Sequence, residues 1–512
     1  MAPTFISAVT SPDGARISLT YNEALASKAA PPSAFTVSVD GQPATVTDVS
    51  TSGNDVRLAL SASILAGQSI AISYVAPASD AANTNDAIQN TAGADAPSLG
   101  VVSVSNRSEV VNDPKLGFTA ATLGPVVTTR INAITSTDIN GDGNIDLVIS
   151  DASTSSSTDS VAVLLGNGRG DFRAAGTPYA VGPYPNSISA NDFNGDNNQD
   201  LIVANLSPGA PLVVLYGDGN GGFPSSSLVG AGQPVGLIPP KPRTVISADF
   251  NGDGKTDIAW GIGYNNTTIN GQIGISLNNG SSDPFGGTST FYNIGINPYG
   301  LIAVDLDGDN ILDLVSANSP GSGNGSISIL LGNRDGSFQP ASTMAVGPRP
   351  RYFAAADFNR DGKQDLALSE SEPGNTIAIL IGDGRGAFTR STLTLSSTAP
   401  RDLVAADFNN DGLVDLAAAT YTGDNLYVFP GNGDGGFAIP RVFPLGEGPV
   451  FLADGDFDRD GAPDLAAANY GSEGGTSPRS VSLLLNSLPP SLAITVADSA
   501  LKAGETSLVT FT

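Results

Sequence analysis

The sequence contains no cysteine and no histidine. Without cysteine no disulfide can brace the fold. Without histidine the commonest general base, the commonest transition-metal ligand and the usual partner of a nucleophilic serine are missing together. Basic residues are also scarce. The chain has 23 Lys and Arg against 50 Asp and Glu, a formal charge of −27 that argues against nucleic acid and anionic membranes as partners. No run of eighteen apolar residues occurs, so no segment reads as a membrane-spanning helix. The opening Met1-Ala-Pro-Thr-Phe-Ile-Ser7 lacks the basic and apolar regions of a classical signal peptide.

What is present is turn chemistry and β-formers. The 512 residues include 61 Gly and 35 Pro, yet 40% are hydrophobic, enough for a packed interior. Val, Ile, Thr and Ser dominate and long helical patterns are missing, so the chain reads as all-β with two or three domains.

One short pattern organises the sequence. Asp249-Phe-Asn-Gly-Asp-Gly-Lys-Thr-Asp257 places oxygen-bearing side chains at positions 1, 3, 5 and 9. It recurs from Asp138, Asp192, Asp305, Asp357, Asp407 and Asp456, at intervals of 54, 57, 56, 52, 50 and 49 residues. A near-constant period of this size points to a propeller or solenoid. Position 1 is always Asp (the seven just named), as are position 5 (Asp142, Asp196, Asp253, Asp309, Asp361, Asp411, Asp460) and position 9 (Asp146, Asp200, Asp257, Asp313, Asp365, Asp415, Asp464). Position 3 is Asn140, Asn194, Asn251, Asp307, Asn359, Asn409 and Asp458. Position 6 is Gly143, Asn197, Gly254, Asn310, Gly362, Gly412 and Gly461, the residue types that most readily take positive φ. Position 7 (Asn144, Asn198, Lys255, Ile311, Lys363, Leu413, Ala462) shows no side-chain preference, as expected where a backbone carbonyl is the ligand. Position 10 is always Leu or Ile, where a buried strand should begin.

Six to eight hard oxygen ligands in a flexible shell suit Ca²⁺, whereas Mg²⁺ demands stricter octahedral geometry and keeps its waters. The expectation is therefore about seven Ca²⁺ sites. The four carboxylate-bearing positions hold 23 of the 50 acidic residues, and seven Ca²⁺ would bring −27 to −13. A helical EF-hand is excluded because its bidentate Glu at position 12 is replaced by Ile149, Val203, Trp260, Ser316, Leu368, Ala418 and Ala467.

A second motif precedes a fourth strand in the first six repeats: LLGNGRGDF ending at Phe172, LYGDGNGGF at Phe223, LLGNRDGSF at Phe338, LIGDGRGAF at Phe388, PGNGDGGF at Phe437 and the looser NNGSSDPF at Phe285. Four antiparallel strands per repeat is the content of one propeller blade. Gly117-Phe118 stands 20 residues before Asp138 with no strand ahead of it, while Val481–Leu485 ends the array without a Gly-Phe strand. One N-terminal strand should complete the last blade and close a seven-bladed ring, removing open sheet edges.

The D-x-[DN]-x-D-G-x-x-D loops and LLGNG…F turns together resemble the FG-GAP/VCBS repeats of integrin α-type β-propellers over residues 116–488. That resemblance implies that the loop joins the first two strands of a blade and binds calcium. It implies side-chain ligands at positions 1, 3, 5 and 9 and a carbonyl at position 7. The metal would fix each blade's first hairpin, a structural role without catalysis.

Residues 1–105 alternate as short strands (15–21, 35–39, 44–49, 56–60, 69–74) separated by Pro12-Asp-Gly14, Asp40-Gly41 and Ser52-Gly-Asn54, as in an immunoglobulin-like sandwich. The run SPDGARISLTYNEAL…SAFTVSVDGQPATVTDVS resembles the immunoglobulin-like repeat of cyanobacterial swimming-motility-type surface proteins. Residues 106–115 read as a linker, and 489–512 resemble the start of a further bacterial Ig-like repeat. These resemblances imply a secreted or surface-displayed bacterial module, exported by a type I route and acting in adhesion or assembly on a protein or glycan ligand, with no nucleic acid and no membrane insertion. A glycan-binding lectin and, more weakly, a polysaccharide-active enzyme are the alternatives. Three minor motifs carry less: Arg169-Gly-Asp171 on a hairpin turn, the sequons at Asn205 and Asn265, and the aromatic pair Trp260 and Tyr264, expected to be strand packing rather than a sugar platform.

Overall fold

The structure, a computed structural model, describes residues 2–10, 16–26, 30–39, 42–60, 70–76, 88–89, 97–103, 118–123, 131–152, 159–230, 232, 238–264, 268–281, 283–321, 323–371, 375–395, 399–471, 480–486, 494–496 and 509–511. Among them the fold is all-β. The one helix is a single 3₁₀ turn, Pro32–Ala34, and no helix is long and apolar enough to cross a membrane. The 106–115 linker lies outside the described residues.

The N-terminal part builds two four-stranded antiparallel sheets. One runs Phe5–Thr10, Arg16–Tyr21, Asp55–Leu60, Val46–Ser52, the other Gln42–Ala44, Phe35–Val39, Ile70–Tyr74, Leu99–Ser103. Their inward residues (Ile17, Leu19, Val56 and Leu58 from one, Val37, Ile70, Ile72 and Tyr74 from the other) share a single apolar core. The strand expected over 44–49 is broken. Gln42–Ala44 pairs with Phe35–Val39 and Val46–Ser52 pairs with Asp55–Leu60, so the chain changes sheets at Thr45. Alternation alone cannot reveal a break that keeps the polar–apolar rhythm on both sides.

Seven further antiparallel sheets follow the repeats, the first six with their strands in sequence order. The second is representative: Pro185–Asn191, Asp200–Asn205, Leu212–Tyr216, Ser225–Val229. In the first sheet the outer strand is split into Phe172–Ala174 and Tyr179–Ala180, both paired with Ser160–Gly166. The last is assembled from both ends: Pro449–Gly455, Asp464–Asn469, Ser480–Asn486 and then Phe118–Leu123, in register from Asn486 opposite Phe118 to Val481 opposite Leu123. The phase of the two ends leads to this pairing.

Every second strand is buried on both faces, which explains its unbroken apolar runs such as Leu201-Ile-Val-Ala204. Leu416 and Ala418 pack toward the fifth sheet, whereas Ala417 and Ala419 pack toward the seventh. Each pair of successive sheets shares its own apolar cluster, and one more joins Ala453, Ala466 and Leu483 of the seventh to Ile134, Leu147 and Leu164 of the first. The inner first strands touch in the same succession, and Ser136 Oγ of the first sheet donates to the Asp454 carbonyl of the seventh at 2.7 Å.

The glycine that ends each third strand is required by close approach. A Cβ at Gly166, Gly217, Gly332, Gly382 or Gly431 would collide with the carbonyl oxygen of the residue at loop position 8. The third and seventh sheets carry Asn278 and Asn486 there instead. Their side-chain amides donate to that carbonyl (Thr256, Pro463) and to a carbonyl of the preceding sheet's loop (Phe193, Phe408).

Candidate metal sites

Each acidic loop joins the first and second strands of its sheet and is shaped by its own carboxylates. In all seven, position 1 accepts the backbone N–H of position 6 through Oδ2, at 2.8–3.1 Å. Position 5 accepts the N–H of position 7 through Oδ1, at 2.8–3.0 Å. Position 6 has positive φ in every copy, including Asn197 at 66° and Asn310 at 63°. Position 4 is left-handed too, and three loops place a side chain there: Arg360 (φ 61°), Asn410 (52°) and Arg459 (63°). Left-handed backbone costs a non-glycine residue roughly 1–2 kcal/mol. Arg360 is exposed, so Arg360→Gly should stabilise the protein by about 1 kcal/mol, visible as a higher denaturant midpoint at unchanged slope.

Position 9 has a second role that its ligand-like spacing conceals. These seven aspartates are 0–1% exposed and open the second strand. Oδ2 accepts the N–H of position 2 at 2.8–3.0 Å. Oδ1 accepts the N–H at the end of the third strand at 2.6–2.8 Å. One carboxylate thus pins the loop to the turn that precedes the fourth strand. Burial, opposed by these two bonds and assisted by the neighbouring carboxylates, pushes Asp146, Asp200, Asp257 and Asp313 up to about 6 and Asp415 and Asp464 up to about 7. Asp365 shifts the same way for the same causes.

The carboxylates of positions 1, 3 and 9 converge in the two loops that have Asp at all three. One oxygen each from Asp305, Asp307 and Asp313 lies within 4.8 Å of the others, and likewise for Asp456, Asp458 and Asp464. Two ligands on opposite sides of an ion with bonds of about 2.4 Å span that distance. Asp307 Oδ1 is buried with no hydrogen-bond partner, an acceptor whose desolvation only a cation or water would repay. Burial and then the charges of Asp309 and Asp305 raise the Asp307 carboxyl, and burial with Asp460 and Asp456 raises Asp458. This donor set, all hard oxygens, fits a hard divalent cation. Position 5 falls outside both triads. Its carboxylates are exposed, and Asp253 pairs with Lys255 at 2.8 Å and Asp361 with Lys363 at 3.6 Å, contacts of little energetic weight. In the first two loops the position 3 amide (Asn140, Asn194) donates to position 5 at 3.1 Å.

Position 2 is a column that the ligand reading passes over. It is large and apolar throughout (Ile139, Phe193, Phe250, Leu306, Phe358, Phe408, Phe457), which was visible in the sequence. Edge-to-face contacts join Phe193 to Phe285, Phe250 to Phe338, Phe358 to Phe437 and Phe457 to Phe172, at 5.3–5.8 Å between ring centroids. Phe118 from the N-terminal strand meets Phe408 at 5.9 Å. Each turn phenylalanine therefore seats on the loop of the preceding sheet.

The minor motifs resolve simply. Trp260 and Tyr264 are 0% and 1% exposed core residues and present no platform. The Asn205 amide is buried and donates to the Val181 and Pro211 carbonyls, so it is not an accessible acceptor for a glycan. Asn265 lies outside the described residues. In the RGD turn Arg169 and Asp171 are exposed, while Gly170 is buried and donates its N–H to the Phe457 carbonyl.

An all-β repeat protein with an oxygen-lined loop in every repeat is the class these features define. The FG-GAP-like repeat matches at residues 138–203, 192–260, 249–316, 305–368, 357–418 and 407–467, each match running from one loop through the next, and the chain belongs to this family. Residues 1–79 match the SWM repeat, described as "Putative flagellar system-associated repeat". No curated protein matches the chain.

Proposed function

We propose that the seven sheets are the blades of one closed propeller whose loops bind calcium, about one ion per blade. The whole acts as a non-catalytic module of a large secreted or cell-surface bacterial protein, in adhesion or as a structural part of a surface assembly. The converging carboxylates of Asp305, Asp307 and Asp313, with an unpartnered buried oxygen among them, carry the metal half of this reading. Closure is supported by the apolar cluster and hydrogen bonds between the seventh and first sheets and by the strand borrowed from residues 118–123. The N-terminal pair of sheets with a common core is compatible with an Ig-like sandwich, and its SWM match favours a bacterial surface setting.

Equilibrium dialysis against ⁴⁵Ca should count about seven ions. The loops at Asp305 and Asp456, with four carboxylates each, should fill first. Their Asp→Asn variants at position 3 should therefore lose the tightest sites, and unchanged affinities would refute the ranking. Closure has its own test. Removing residues 1–123 uncovers the edge of Ser480–Asn486 and should cause self-association in size-exclusion chromatography, whereas removing residues 1–105 should leave a monomer.

A further inference from the structure

The first strands carry a second constellation at the end opposite the acidic loops. Six residues before position 1 stand Arg243, Tyr299, Arg351 and Arg401 in four successive sheets, so six residues of extended chain, roughly 20 Å, separate them from the loops. The guanidinium groups of Arg243 and Arg351 lie over the Tyr299 ring at 4.6 and 4.0 Å, and Arg401 lies over Tyr421 at 4.7 Å. Tyr299, Arg351, Arg401, Tyr421, Tyr470 and Phe451 line a cavity of about 210 Å³. An adjoining cavity of about 170 Å³ is lined in part by Arg243, Asn186 and Tyr352.

Tyrosine rings and the Tyr299 hydroxyl contact these arginines, but no carboxylate among the described residues pairs with them. The Nε of all three is buried without a hydrogen-bond partner, and none of them forms one of the ion pairs found among the described residues. The acid beside them, Asp402, is occupied with the N–H groups of Leu403 and Leu452. Like charges crowd instead. Burial and then Arg351 disfavour the charged form of Arg401, and the two arginines beside Tyr299 lower its phenol against the opposing effect of burial. Three unneutralised guanidinium groups brought together in a protein of net charge −27 are costly in the absence of an anion.

We infer that this end of the first strands is a binding site for a carboxylate-bearing sugar, with Arg351 and Arg401 taking the carboxylate. A guanidinium held over a tyrosine ring keeps its planar fork of N–H donors, which can pair bidentately with a carboxylate. The tyrosine hydroxyls and the Asn132 and Asn186 side chains on the walls suit hydroxyl groups, and the aromatic faces suit a sugar ring. The volume admits a single monosaccharide unit. The site draws on the ring arrangement of the sheets but not on calcium, so it can stand or fall independently of the loops.

The test is isothermal titration calorimetry of the full chain in calcium with glucuronate, glucose and N-acetylglutamate, repeated on the Arg351→Gln/Arg401→Gln double variant. Glucuronate should bind, weakening as salt rises, with glucose at least about tenfold weaker for want of the charge-assisted bonds. The double variant should lose at least about tenfold in glucuronate affinity while melting at the wild-type temperature or above, since the removed charges repel. Single Arg401→Gln supplies a second, milder variant should the double fail to fold. Glucuronate silence, equal binding of glucose, stronger binding of N-acetylglutamate, or variants that bind as wild type would each overturn the assignment.

Discussion

Asp313→Ala destabilises the calcium-free protein by about 2–6 kcal/mol. The Asp313 carboxylate is the acceptor for both Leu306 N–H at 2.9 Å and Gly332 N–H at 2.7 Å. Removing it leaves two backbone donors buried and unpaired, at about 1–3 kcal/mol each. The melting temperature should fall by roughly 4–12 °C on the scale expected for large domains. Asp309→Ala in the same loop is the control, because Asp309 is exposed and accepts only the Ile311 N–H in its own turn. It should cost under about 1 kcal/mol without calcium. Asp313→Asn should fall between, since an amide offers one acceptor where the carboxylate offers two. Equal effects at the two positions would show that the hydrogen bonds of position 9 add no stability of their own.

That dual role is where reading the sequence stops short. Columns 1, 3, 5, 6, 9 and 10 are legible because each repeat restates the same local demand, and seven copies stand in for an alignment. Left-handed φ at position 6 and the borrowed strand at Phe118 follow from local chemistry and from counting strands. A carboxylate that grips the end of a strand 16–22 residues away has the same letter as one that grips an ion, so position 9 looks like its neighbours. The arginine site is hidden for another reason. Its column also holds Asn132, Asn186, Tyr299 and Val450, and no repetition marks it. Only the convergence of the first strands brings Arg243, Arg351 and Arg401 together.

Calcium should have the largest effect of all, and its size depends on pH. Six of the position 9 carboxyls (Asp146, Asp200, Asp257, Asp313, Asp415 and Asp464) have folded-state values of about 6 to about 7 against an unfolded value near 3.9, and Asp365 is raised in the same direction. In the calcium-free protein their contribution is fully present below about pH 4 and is lost as the pH rises through 6–7. The calcium-free chain therefore becomes less stable toward pH 8. Stabilisation by calcium runs the other way, because protons compete for the same oxygens and the competition fades as pH rises. Each occupied site adds about 2.7 kcal/mol when calcium exceeds its Kd a hundredfold, so several sites together outweigh any single substitution.

The decisive measurement is a thermal melt of the full chain at pH 8 in millimolar calcium and again in excess chelator, repeated at pH 5.5. Calcium should raise the midpoint by at least about 10 °C at pH 8 and by clearly less at pH 5.5. Superimposable melts at pH 8 would mean that the loops hold no stabilising ion. They would then be hydrogen-bonded turns alone, and the calcium module proposed for this chain would be wrong.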